Sequence, residues 1–160
     1  MKRFLLALYA AVVPLSLYAD DPAKSKQGPY AVIVGVGAFD DKAIQPRPTA
    51  DADAKAIYDL FTDPKAGGID AKRARLLTSA ADANRGGEQA TRANIVKAIK
   101  DAVAATGKDD LIVIGLFGRG APVGDQTGFF AVDSTVKDRA KNAVLGSDIG
   151  TELKPAKGQK

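Results

Sequence analysis

Leu111 to Gly120 reads LIVIGLFGRG, seven apolar or small residues followed at once by glycine, arginine and glycine. A continuous apolar run of this length, rich in isoleucine and valine, is the pattern of a strand covered on both faces in a parallel sheet. Its tip matters, because ligands of open parallel sheets bind outside the carboxyl ends of the strands. Arg119 stands there between Gly118 and Gly120, two residues that permit positive φ and close backbone approach. A tight turn with a solvated arginine explains the tripeptide as well as a ligand cradle does. On local sequence both readings stay open.

Working outward, Tyr30 to Val36 (YAVIVGV) repeats the same strand pattern, and Arg73 to Thr78 (RARLLT) reads as a shorter strand. Two helical patterns lie between these strands. Thr49 precedes Ala50, Ala54, Ile57, Leu60 and Phe61, and Thr91 precedes Ile95, Ala98, Ile99, Ala102 and Val103. Each set forms one apolar helical face, and each threonine is placed to cap free backbone N–H groups. Gly107 is the expected stop of the second helix. Strand, helix, strand, helix, strand implies right-handed crossovers and a mainly parallel sheet with helices on both faces, a three-layer α/β/α sandwich. After Gly120, APVGDQTG reads as a turn-rich loop, Phe129 to Asp133 as a short strand and STVKDRAKNAV as irregular. Ser147 would cap a last helix carrying Ile149 and Leu153. No central strand follows, so an unprotected sheet edge is expected, together with a longer parent protein.

The amino terminus resembles an export signal: Lys2 and Arg3, the apolar run Phe4 to Val13, then PLSLYA before Asp20. Cleavage is expected after Ala19, giving a signal peptide over 1–19, a linker over 20–29, the domain over 30–153 and a tail over 154–160. The run is broken at Pro14 and falls short of the roughly 20 apolar residues that a membrane span needs. The processed chain is therefore expected to be periplasmic or extracellular and free of the membrane. There is no cysteine for a lipid anchor or a disulfide. Removing Lys2 and Arg3 leaves 21 basic against 19 acidic residues, a net charge of +2. Three of the remaining lysines sit in KPAKGQK at the end, so no basic stripe for nucleic acid is present.

The 160 residues include no histidine either. That removes Ser-His and Cys-His pairs and every His-ligated metal site, leaving acids, hydroxyls and lysines for any chemistry. VGVGAFDD lacks a dinucleotide fingerprint, because Asp40 stands where the third glycine belongs and a loop with two prolines follows. Asp40, Asp41, Asp51 and Asp53 supply oxygen ligands suited to magnesium or calcium, but at no known loop spacing. A place in the first turn of a helix explains Asp51 and Asp53 through the helix dipole. A solvated turn explains Asp109 and Asp110. No cofactor is implied.

Taken in order, YAVIVGVGAFDD, PTADADAKAIYDLF, ARLLTSAADANRGGEQATRANIVKAI, DDLIVIGLFGRGAP and GFFAVDS resemble the front half of the caspase-like cysteine peptidases, which include caspases and metacaspases. The resemblance spans Tyr30 to Leu153 and implies a caspase-like fold, cut before the strand that carries the catalytic cysteine. It places Arg119 where the family has its histidine, Gly120 at the oxyanion-hole glycine and Asp53 at the aspartate of the family's Asn-Asp-Ala segment. A guanidinium with a pKa above ~12 keeps its proton and offers no acceptor lone pair, so Arg119 is no general base. Three functions remain open from here. One is a pseudo-peptidase binding peptide or protein. Another is a cysteine endopeptidase whose nucleophile and replacement base lie beyond Lys160. The third is an anion-binding module in which Arg119 and the Gly118 and Gly120 amides grip a carboxylate or phosphate. Oligomeric state is not encoded in any feature found.

Overall fold

The structure is a computed structural model that describes residues 28–107 and 109–156. The expected signal peptide, most of the linker and residues 157–160 lie outside the described residues.

Four strands form the main sheet: β1 (Tyr30–Gly35), β2 (Ala74–Thr78), β3 (Glu88–Gln89) and β4 (Ile112–Phe117). Their spatial order is β3-β2-β1-β4 and all pairings are parallel. The valine- and isoleucine-rich β1 is central and wholly buried, as its unbroken apolar run predicts. Helix α1 (Ala50–Thr62) covers one face, packing Ala54 and Tyr58 against Ala31, Ile33 and Leu76. Helix α2 (Arg92–Ala105) covers the other, setting Ile95, Ala98, Ile99 and Ala102 against Val32, Val34 and Leu77. Alternate residues of β1 thus serve opposite layers, and the expected α/β/α sandwich is present.

Gly35 shows how closely the layers meet. A Cβ placed there would lie 2.4 Å from the Ala50 carbonyl oxygen and 2.6 Å from the Ala54 Cβ. Only glycine admits α1 this near the end of β1.

Several sequence expectations are corrected. The segment after Gly120 is no loop but a hairpin of β5 (Gly120–Val123) and β6 (Gln126–Phe130). Gly124 makes its two-residue turn with φ +62°. STVKDRAKNAV is also ordered: it contains the short helix α3 (Arg139–Asn142) and leads into β7 (Ala143–Leu145), which pairs antiparallel with β6. This second, three-stranded sheet extends the core on the α2 side through Phe130 and Val144. Thr49 does not cap α1, because its backbone is already helical, whereas Thr91 accepts from Asn94 N as expected. Leu60 lies outside the apolar face of α1 and is 51% exposed. Helix α2 ends before Gly107, at an extended Thr106. Helix α4 (Gly146–Leu153) starts one residue ahead of Ser147, with Asp148 Oδ2 accepting from Leu145 N at 2.9 Å. Ile149 and Leu153 pack on the core.

The largest correction concerns Asp110, which sits in no solvated turn. Its side chain is 2% exposed and pairs with Arg73 at 3.3 Å. As expected, β4 lies at the sheet edge, paired among the described residues only with β1. No helix of the described residues is long and apolar enough to cross a membrane.

Candidate functional site

The carboxyl ends of β1 and β4 open into two loops that meet, one running from Val36 to Thr49 and the other carrying Gly118 and Arg119. Arg47 Nη1 donates to the Gly118 carbonyl at 3.2 Å, and Arg119 Nη2 donates to the Pro46 carbonyl at 3.2 Å. Each guanidinium therefore rests on the backbone that carries the other. Both side chains are exposed, and neither makes an ion pair among the described residues.

Gly118 and Gly120 do not use the positive φ open to them. What they provide is room for the hairpin. A Cβ at Gly118 would lie 2.9 Å from the Phe129 ring, and one at Gly120 would lie 2.7 Å from the Gly128 carbonyl oxygen. Phe130 N donates to Arg119 O at 2.8 Å, which makes Arg119 and Phe130 a hydrogen-bonded pair of the ladder. Gly120 faces Phe129 at the next, non-bonded position, so its N–H points away from β6. That orientation suits a donor for a ligand's oxygen.

Beneath this tip lies a polar knot. Ser79 Oγ accepts from Gly37 N at 2.9 Å and Ala38 N at 3.0 Å, and donates to Asp51 Oδ1 at 3.0 Å. Asp51 Oδ1 also accepts from Ser79 N at 3.0 Å. A hydroxyl with both lone pairs on backbone donors and its proton on a carboxylate has nothing left with which to attack a carbonyl. The knot instead fixes the start of the loop that delivers Arg47, whose N–H donates to Gly37 O at 2.9 Å.

Asp53 occupies the first turn of α1, half-buried, and makes no side-chain hydrogen bond to the tip among the described residues. The four aspartates weighed as cation ligands do not converge, and the described residues hold no metal-binding group of three or more acidic side chains. Asp41 accepts instead from Ala43 N and Val136 N, both at 2.9 Å, which holds its carboxyl below the usual range.

A polar cavity of about 330 Å³ opens beside the knot, lined by residues that include Asp51, Lys55, Thr78 and Asp82. From its lining an ion-pair chain runs outward: Lys55 to Asp82 at 3.0 Å, Asp82 to Arg85 at 3.1 Å and Arg85 to Asp59 at 2.8 Å. Hydrogen bonds from Lys55 hold the Asp82 carboxyl low, and those from Arg85 do the same for Asp59. A carboxylate depressed in the folded state stabilises fully above its unfolded pKa of about 3.9, and that support fades as pH falls through the lower folded value. Arg85→Ala is therefore expected to lower the urea midpoint at pH 7, with the gap to wild type closing as acid protonates these depressed carboxyls. A gap that persisted unchanged into acid would show the chain to be electrostatically idle.

The sequence singles out Arg119 and its glycines, whereas Arg47 and the Ser79–Asp51 knot come only from the structure. A signal for Arg47 was present, since Pro46 and Pro48 flank it and a following proline holds the backbone extended. Nothing local marked Ser79.

A parallel sheet layered by helices, with a glycine-flanked residue presented at the tip of β4, defines an α/β protein of the open-sheet class, in which ligands are held outside the carboxyl ends of the strands. A sequence profile of the caspase domain matches residues 29–154, and the chain belongs to that family. Comparison with curated protein sequences gives no match.

Proposed function

We propose that this chain is an exported caspase-like domain without peptidase chemistry of its own, which binds peptide or protein at the carboxyl end of its sheet. The observation that carries this reading is Arg119, which resemblance sets at the family's histidine position in a sequence with no histidine. Peptide hydrolysis in this family needs a group that takes a proton from the nucleophile and returns it to the leaving amine. A guanidinium does neither, and Arg119 spends a donor on the Pro46 carbonyl. What remains is recognition: a Gly120 N–H turned away from β6 and the two arginines of the tip can receive a ligand's carbonyl or charged oxygen. Export rests on the signal-like first 19 residues.

The test is made on protein purified from its natural source. Intact mass is expected to place the mature start at Asp20, and a broad peptide panel is expected to remain uncleaved. Cleavage lost in Arg119→Ala, or labelling by a thiol-directed peptide inhibitor, would establish instead an endopeptidase with a rearranged site. A mature protein that retained residues 1–19 would refute export with cleavage.

A further inference from the structure

The crossed contacts of Arg47 and Arg119 carry a more specific reading of the tip. Two guanidiniums, on loops 71 residues apart in sequence, rest against each other's backbone, held there by neutral carbonyl oxygens at 3.2 Å. Among the described residues no carboxylate pairs with either. Asp51, the acid that contacts the same loop at Gly37, spends Oδ1 on Ser79.

Two neighbouring cations without counter-charge repel each other. A carbonyl satisfies a guanidinium less well than an oxyanion, whose charge-assisted bonds are shorter and roughly twice as strong. A single carboxylate would balance one of the two charges; a dianion balances both. The planar forks of arginine match the oxygens of a tetrahedral oxyanion, and Gly120 N–H supplies an uncharged donor beside them.

We propose that the tip binds a doubly charged tetrahedral oxyanion, of the phosphate or phosphomonoester class, between Arg47 and Arg119, in exchange for the Gly118 and Pro46 carbonyls. This rests on the reading of the tip as a binding site. Two sources share the chemistry, free inorganic phosphate and a phosphoryl group on a protein partner.

The experiment follows the arginine Nε–Hε resonances of the full chain by NMR during titration at low ionic strength. The probes are inorganic phosphate, a phosphoserine peptide otherwise uncharged, and acetate. Saturable shifts of both Arg47 and Arg119 are expected with phosphate or the phosphopeptide, the tighter of the two naming the source. Arg47→Gln and Arg119→Gln are each expected to weaken binding about tenfold. Lys97→Gln, on the exposed side of α2, should leave it unchanged. Both arginines are exposed, so the variants should melt as wild type does. Acetate binding as tightly as phosphate, unmoved resonances, or Arg47→Gln binding like wild type would each overturn the proposal. Because the readout is binding alone, peptidase activity in the natural protein would end the pseudo-peptidase reading without deciding this one. Failure to bind phosphate would not restore a missing base.

Discussion

Arg73→Ala is expected to destabilise the domain by about 3 kcal/mol, a large share of the ~5–15 kcal/mol that separates folded from unfolded domains. The reason lies at the end of the sheet opposite the tip. Arg73 immediately precedes β2, Asp110 stands just before β4, and Gly28 and Pro29 lead into β1. Arg73 donates to Gly28 O at 2.9 Å, to Asp110 Oδ2 at 3.3 Å and to Ala105 O at 3.4 Å, and its guanidinium lies 5.5 Å from the Tyr30 ring centre. One side chain therefore gathers the entries of three parallel strands and the last carbonyl of α2. Its removal leaves the Asp110 carboxylate 2% exposed and without its cation, although Gly107 N still donates to it at 3.0 Å. An uncompensated buried charge, rather than a lost attraction, is what makes the cost large. Urea unfolding checks it. Removing the acid as well, in Arg73→Ala/Asp110→Ala, should cost less than the two single changes added together, because the stranded charge is gone. A loss below about 1 kcal/mol for Arg73→Ala would place the pair among weak surface bridges.

Gly35→Val is expected to cost about 3 kcal/mol or to prevent folding. The contact it would violate is with helix backbone, the Ala50 carbonyl oxygen at 2.4 Å, so no flexible side chain can swing aside to absorb it. Helix α1 would have to move off the sheet, separating Ala54 and Tyr58 from Ala31 and Ile33. Because α1 follows directly on the loop bearing Arg47, the shift should also loosen the tip. Circular dichroism and thermal melting read the first effect, and the Arg47 and Arg119 side-chain resonances read the second. A folded variant with wild-type melting would mean that α1 does not approach β1 as closely as described.

Hydrophobic periodicity accounts for what was legible in advance. The unbroken runs of β1 and β4 carry the pattern of strands and the spacings in α1 and α2 that of one apolar helical side; β1 is wholly buried, whereas β4, at the sheet edge, is only half-buried beyond Ile112. The hairpin after Gly120 was not legible in the same way. Its strands are short, half-exposed and interrupted by Pro122 and Gly128, so burial left no clear alternation. Only Gly124-Asp125, a dipeptide suited to a two-residue hairpin turn, marked it. Strand β7 escaped notice because three residues are too few to show a period, and its buried Ala143 and Val144 follow a polar stretch.

By itself, then, the sequence determined the layered parallel architecture, the membership that its ordered motifs imply, and the presentation of Arg119 between two glycines at a strand end. These follow from local pattern, because burial imposes its period on neighbouring residues. Tertiary structure alone decided that Asp110 is buried against Arg73, that Ser79 is tied up by Asp51 and two backbone amides, and that Arg47 crosses to the strand that carries Arg119. Each of those contacts joins residues 28 to 71 positions apart, at loop ends where no periodicity operates. Which charge meets which partner there is fixed by how the strands are ordered in the sheet, with β4 laid beside β1 and its tip brought to the loop that leaves β1.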